Sequence, residues 1–118
     1  MIERRRGERY VIAFPVRAKW KDADGREVVE DGLTENVGPN GTLVYLPRTL
    51  PDVGAEIELT VREEDEVTVM TSVIRLERNA AHPQVALNVS DGFDRWQNVW
   101  ELARRTVAGQ KPDEYEEW

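Results

Sequence analysis

The residues best suited to chemistry in this chain are four arginines, Arg4, Arg5, Arg6 and Arg9, set among only Glu3 and Glu8 near its start. A guanidinium is planar, permanently charged and donates through a fixed fork, so it can pair with a phosphate through two hydrogen bonds or stack on a flat ring. Together they form a basic island on a chain whose formal net charge is −7 and whose pI is near 4.8. That balance argues against general nucleic-acid binding, which draws its affinity from many phosphates neutralised by clustered Lys and Arg. An island of this size suits a small dianion better than a polymer.

The second chemically suggestive stretch is Asn36-Val37-Gly38-Pro39-Asn40-Gly41. Two glycines, a proline and two asparagines in succession predict a sharply turned loop between two strands. Gly38 and Gly41 are expected to use positive φ, Gly41 as the residue that turns the chain into a strand at Thr42, and a missing side chain lets a ligand approach the backbone. The Asn36 carboxamide oxygen can accept from a ring N–H. Taken alone, Asn36 reads equally well as an Asx-turn residue and Gly41 as a turn glycine with no ligand role.

The elements that must hold these residues follow from periodicity. Phe14, Val16, Ala18 and Trp20 alternate with polar residues, giving a strand with one buried face and with Pro15 at an edge or a bulge. Asp24-Gly25 closes a hairpin into a second strand over about 26–35, whose thin apolar content leaves its register open. Further strands are expected over 42–46, 56–61, 67–76 and 85–89, the fifth of them covered on both faces because β-branched residues occupy both. The period then lengthens, and Phe93, Trp96, Trp100, Ala103 and Val107 fall on one helical face, with Ser90 or Asp91 as N-cap and Gly109 as C′. The fold class is all-β dominated: a small antiparallel barrel of about six strands, closed or nearly so, with a C-terminal amphipathic helix as its lid. With 118 residues one domain is expected, organised as a flexible arginine-rich arm over 1–10, barrel plus helix over 11–108, and an acidic tail over 109–118.

Other chemistry finds little support. There are no cysteines, which removes disulfides, thiolate metal sites and cysteine nucleophiles. His82, the one histidine, is expected to be a solvated turn residue without a metal or catalytic partner, and Glu63 to Glu66 read as a hairpin tip rather than a calcium loop. No nucleophile stands beside a base, so no enzyme, cofactor or metal is expected. No apolar run approaches the length of a membrane span, and a soluble cytoplasmic protein is the expectation. Trp96 and Trp100 read as core, Trp20 as core or surface.

Arg5-x-x-x-Arg9 followed by Asn36-x-Gly38-x-x-Gly41 resembles the two-part signature of the PilZ family, which is Arg-x-x-x-Arg and then Asp/Asn-x-Ser-x-x-Gly. Gly38 stands where that family has serine. The resemblance runs from about Arg5 to Trp100 and implies a PilZ-like barrel that binds cyclic di-GMP without catalysis. It assigns the ligand to Arg5, Arg9, Asn36, Gly38 and Gly41, with Arg6 as auxiliary: arginine forks can take guanine O6 and N7 or a phosphate, and Asn36 can take guanine N–H groups. It further implies that the arm folds over the barrel when the nucleotide binds and presents a changed surface to an unidentified downstream protein. The alternative is a degenerate PilZ-like interaction module that has lost the nucleotide. An oligonucleotide-binding barrel would need basic and aromatic residues interleaved along its strands, which this chain does not have.

Overall fold

The computed structural model describes residues 9–110, with side chains as far as Ala108; Arg5, Arg6 and the tail beyond Gln110 lie outside these. Six strands, β1 (Pro15–Lys21), β2 (Glu27–Val37), β3 (Gly41–Tyr45), β4 (Glu56–Val61), β5 (Val67–Glu77) and β6 (Gln84–Asp91), precede one helix, α1 (Phe93–Gln110). They form a closed barrel in the order β1-β2-β3-β6-β5-β4, every neighbour antiparallel, with β1 meeting β4 from Val16↔Val61 to Lys19↔Glu58. Among the described residues no helix is long and apolar enough to cross a membrane.

Alternation builds the interior. Val16, Ala18 and Trp20 of β1 point inward with Ile57, Leu59 and Val61 of β4, and Phe14 joins them from just ahead of β1. Trp20 is therefore core. Pro15 lies on no free edge, because the barrel closes; it is the first residue of β1, a position where a proline is tolerated. The hairpin after β1 is held by Asp22, whose carboxylate accepts from the amides of Asp24 and Arg26 at 2.9 Å, with Gly25 at φ 81°.

β2 explains why its register resists reading from the sequence. Two of its inward positions are polar, Glu30 and Thr34, and both are buried. Glu30 meets the Arg48 guanidinium at 3.3 Å. The Thr34 hydroxyl donates to the Ile12 carbonyl at 2.5 Å and accepts from the Phe14 amide at 2.8 Å, while its own amide donates to the Phe14 carbonyl. Thr34 thus laces the segment ahead of β1 onto the barrel wall with a side chain that imitates backbone.

Three further expectations are corrected. β5 is not covered on both faces: Val69, Thr71 and Val73 are buried, whereas Ile74 on the other face is half exposed. The helix is capped by Gly92, at φ 94°, whose carbonyl accepts from the Trp96 amide at 2.9 Å; Ser90 and Asp91 still belong to β6. Gly109 lies inside α1 rather than beyond its end. The buried face of α1 is Trp96, Val99 and Ala103, with Trp100, Leu102 and Val107 half-buried and Phe93 outside, and it packs chiefly on β5.

Thr34→Val keeps the volume of the side chain and removes both hydroxyl bonds, that of the buried Phe14 amide and that of the part-buried Ile12 carbonyl. The expected loss is about 2–3 kcal/mol of unfolding free energy, read as a lower urea midpoint with an unchanged slope.

Candidate functional site

The glycine stretch is tighter than its composition suggests. Asn36 is not in a loop; it belongs to β2, one step after a bulge that leaves Glu35 unpaired between Thr34↔Val44 and Asn36↔Leu43. Only Gly38, Pro39 and Asn40 separate β2 from β3, and the Gly38 amide donates to the Gly41 carbonyl at 2.8 Å. The bulge shifts the alternation by one, so Asn36 stands on the outer face while Val37 turns inward and is fully buried. The Asn36 carbonyl accepts from the Thr42 hydroxyl at 2.6 Å, which fixes the corner from beneath.

Neither Gly38 nor Gly41 has positive φ; the described glycines that do are Gly25, Gly54 and Gly92. What these two positions require is space. A Cβ on Gly41 would strike the Leu87 carbonyl, because Gly41 pairs closely with Asn88 in β6. A Cβ on Gly38 would strike the Arg9 guanidinium.

That collision shows where the arginine lies. Tyr10 forms an isolated antiparallel bridge with Val37, amide to carbonyl in both directions at 2.9 Å, which sets Arg9 beside the end of β2. From there the Arg9 Nε donates to the Asn36 Oδ1 at 3.2 Å, across 27 residues of sequence, and its guanidinium lies over Gly38. The structure brings together Arg9, Asn36, Gly38 and Gly41 at one corner. Arg5 and Arg6 lie outside the described residues.

The corner is held to the helix from behind. The Trp96 indole, fully buried, donates its Nε1–H to the Gly38 carbonyl at 2.8 Å. Trp100, one turn further, packs against the Tyr10 ring with centroids 6.0 Å apart. Trp96 is core, as its spacing implies, Trp100 is half-buried against the core, and both also position the site. On the same helix Arg104 pairs with Glu101 at 2.6 Å, a bond that holds its guanidinium more firmly protonated than usual.

Two polar groups escape sequence reasoning, Asn88 at the corner and His82 at the other end of β3. Asn88 is exposed on β6 opposite Gly41, its Oδ1 close to where a Gly41 side chain would be, and it adds a second carboxamide to the outer face. Its signal is its polar outward place between Leu87 and Val89, which becomes informative only once β6 is known to neighbour β3. His82 is exposed in the loop between β5 and β6, as expected, but it has neighbours that the sequence does not announce. Its ring stacks on Tyr45 at 4.4 Å and 7°, and its Nε2 lies 2.5 Å from Glu35, the bulged residue next to Asn36. Among the described residues no group of three His, Cys, Asp or Glu is placed to hold a metal.

Trp96→Phe removes the donor to Gly38 and leaves a smaller ring in a filled space. The expected cost is about 2–4 kcal/mol in chemical denaturation, the lost hydrogen bond and the cavity acting together.

No protein-family model and no curated protein matches the sequence. Solved structures are similar to it in backbone. The Bacillus subtilis inhibitor of motility MotI (DgrA) superposes with a TM-score of 0.69 at 19% identity, over 93% of this chain and 54% of that one. The PilZ domain of CeSA from a cellulose-synthesizing bacterium gives 0.60 at 18% identity, over 84% of this chain and 97% of that domain. The PilZ domain of YcgR from Escherichia coli, solved with c-di-GMP, gives 0.61 at 15% identity, over 92% and 100%. The chain thus spans about half of MotI and nearly all of each isolated domain. It has the PilZ-domain fold.

Proposed function

We propose that this protein is a non-catalytic cytoplasmic receptor for cyclic di-GMP. One observation carries the reading: Arg9 and Asn36, far apart in sequence, meet over the side-chain-free surface of Gly38. The Arg9 guanidinium offers a planar fork suited to a guanine edge or a phosphate, and the Asn36 carboxamide oxygen accepts from guanine N–H groups. The YcgR PilZ domain, which shares this backbone fold and was solved with c-di-GMP, supports the ligand class.

In this reading the Arg9–Asn36 bond is a resting contact that the nucleotide replaces. Arg9 turns from the carboxamide to the ligand, Asn36 is freed to accept from a base, and Arg5 with Arg6 close over the second half of the nucleotide. Gly41 keeps β3 close against β6 and so holds the corner that the ligand meets. The ordered arm alters the surface around Tyr10 and Trp100 and so signals to a downstream protein.

Calorimetric titration with cyclic di-GMP tests this. Arg9→Ala and Asn36→Ala are each expected to lower affinity by roughly tenfold or more, the range of a lost hydrogen bond involving a charged group. Unchanged affinity in both Arg5→Ala and Arg9→Ala would refute the arginine clasp even where the nucleotide binds.

The position of Arg9 over Gly38 also favours a second reading, an interaction module that no longer takes the nucleotide, since the space beside the family's serine is filled from within the chain. Gly38→Ser separates the two. Gly38 has ordinary φ and its obstacle is the end of a flexible side chain, so the fold is expected to tolerate serine with a small change in Tm. For a receptor the restored hydroxyl is expected to tighten binding by up to about tenfold. No thermal shift with the nucleotide in either wild type or Gly38→Ser supports the module instead.

A further inference from the structure

Between Leu33 and Val37, Glu35 is the one residue of β2 that the β3 ladder leaves without a partner, and it immediately precedes Asn36. Its carboxylate is held instead by the loop between β5 and β6, where the His82 Nε2 lies 2.5 Å from the Glu35 Oε2. The His82 ring cannot swing freely, because it lies flat on Tyr45 of β3 at 4.4 Å and 7°. Its loop is tied down as well. The His82 amide donates to the Asn79 carbonyl at 3.0 Å, the Asn79 Oδ1 accepts from the Ala81 amide at 2.9 Å, and the Leu46 amide donates to the Pro83 carbonyl at 3.2 Å. The imidazole is therefore a fixed point against which Glu35 closes.

Burial of Val37 already decides which way β2 faces after the bulge, but it leaves the tilt of the extra residue open. A tie from the Glu35 side chain to a fixed ring sets that tilt. Through the peptide they share, it sets the direction in which the Asn36 carboxamide leaves the sheet to meet Arg9 at 3.2 Å. The strength of the tie depends on a proton. An imidazole ordinarily changes charge between about pH 5 and 8. Charged, it forms an ion pair with the carboxylate; neutral, it offers a single uncharged N–H, a weaker bond. The titratable groups facing the ring are Glu35 from β2 and Tyr45 from β3. Glu77 of β5 stands across from Gln84, Arg78 begins the same loop, and Arg9 is engaged beyond Asn36; among the described residues the ion pair of His82 is with Glu35. At contact distance that carboxylate sets the sign.

We infer that His82 is a positioning residue for the proposed nucleotide site, acting through Glu35 on Asn36, and that its protonation strengthens nucleotide binding. The effect on affinity rests on the receptor reading given above; the coupling from His82 to Asn36 does not. The strengthened tie is present below the His82 titration and is lost as the pH rises through it. The two side chains are 48% and 29% exposed, so solvent discounts the gain, and the expected change in affinity is about two- to fivefold.

His82 is the only histidine of the chain, so its ring titration is read without overlap by NMR. In the full chain without nucleotide, between about pH 5.5 and 8, the backbone and side-chain amide signals of Asn36 are expected to move with the midpoint of the His82 ring. In Glu35→Gln the ring still titrates and the Asn36 signals are expected to stay in place. They are expected to stay in place too in His82→Phe, which keeps an aromatic ring on Tyr45 and removes the proton. Calorimetry with cyclic di-GMP is expected to show about two- to fivefold weaker binding at the alkaline end for the wild type, and equal affinity at both ends for each variant. Asn36 signals that ignore the His82 titration overturn the coupling. Equal wild-type affinity at both ends, with the Asn36 signals moving, overturns the positioning role. A pH dependence that persists in His82→Phe belongs to another group, such as the α-amino group, and overturns that role as well. No nucleotide binding at either end refutes the receptor reading, and the nucleotide-free signals then decide the coupling by themselves.

Discussion

The bond from the Trp96 indole to the Gly38 carbonyl joins the helix to the corner on which the proposed site depends. A buried N–H and a buried carbonyl each lose water on folding, so each must find a partner, and here each finds the other. The bond spans 58 residues, from the first turns of α1 to the junction of β2 and β3. Because Trp96 is wholly buried, the corner cannot shift without disturbing the core beneath it. The front of Gly38 can then be left to Arg9, since its back is already fixed.

The glycines work by proximity rather than by backbone freedom. Gly41 lets β3 approach the Leu87 carbonyl, and Gly38 lets a guanidinium lie directly on the main chain. The turning is done elsewhere: the bulge at Glu35 reverses which residues face outward, and it is this reversal that presents Asn36 to solvent and sends Val37 inside. The stacked Tyr45 and His82 rings, through Glu35, connect that bulge to the loop between β5 and β6.

Much of this was legible in the residues. Alternation located β1 and β4 closely, the change of period located α1, and the Asn-x-Gly-x-x-Gly spacing located the corner. The failures have physical causes. β2 hides its register because Glu30 and Thr34 occupy inward positions that a hydrophobic pattern reserves for apolar side chains, and their partners, Arg48 and the segment before β1, are set by the fold. Composition places Asn36 in a loop because a bulge has no compositional mark. Gly38 and Gly41 read as positive-φ residues because one sequence cannot distinguish a glycine kept for its torsion from one kept for its absent side chain. The partner of His82 lies 47 residues away and is brought near by the pairing of β3 with β6.

Closure has one further consequence. Six strands that pair all the way round spend their central backbone donors and acceptors on one another. A protein that docks on the barrel wall therefore finds no row of open amides to extend as an added strand, and must recognise side chains and loops instead. Specificity on such a wall is written residue by residue, so a lineage can exchange one interlocutor for another by surface substitutions while the cylinder beneath stays as it is.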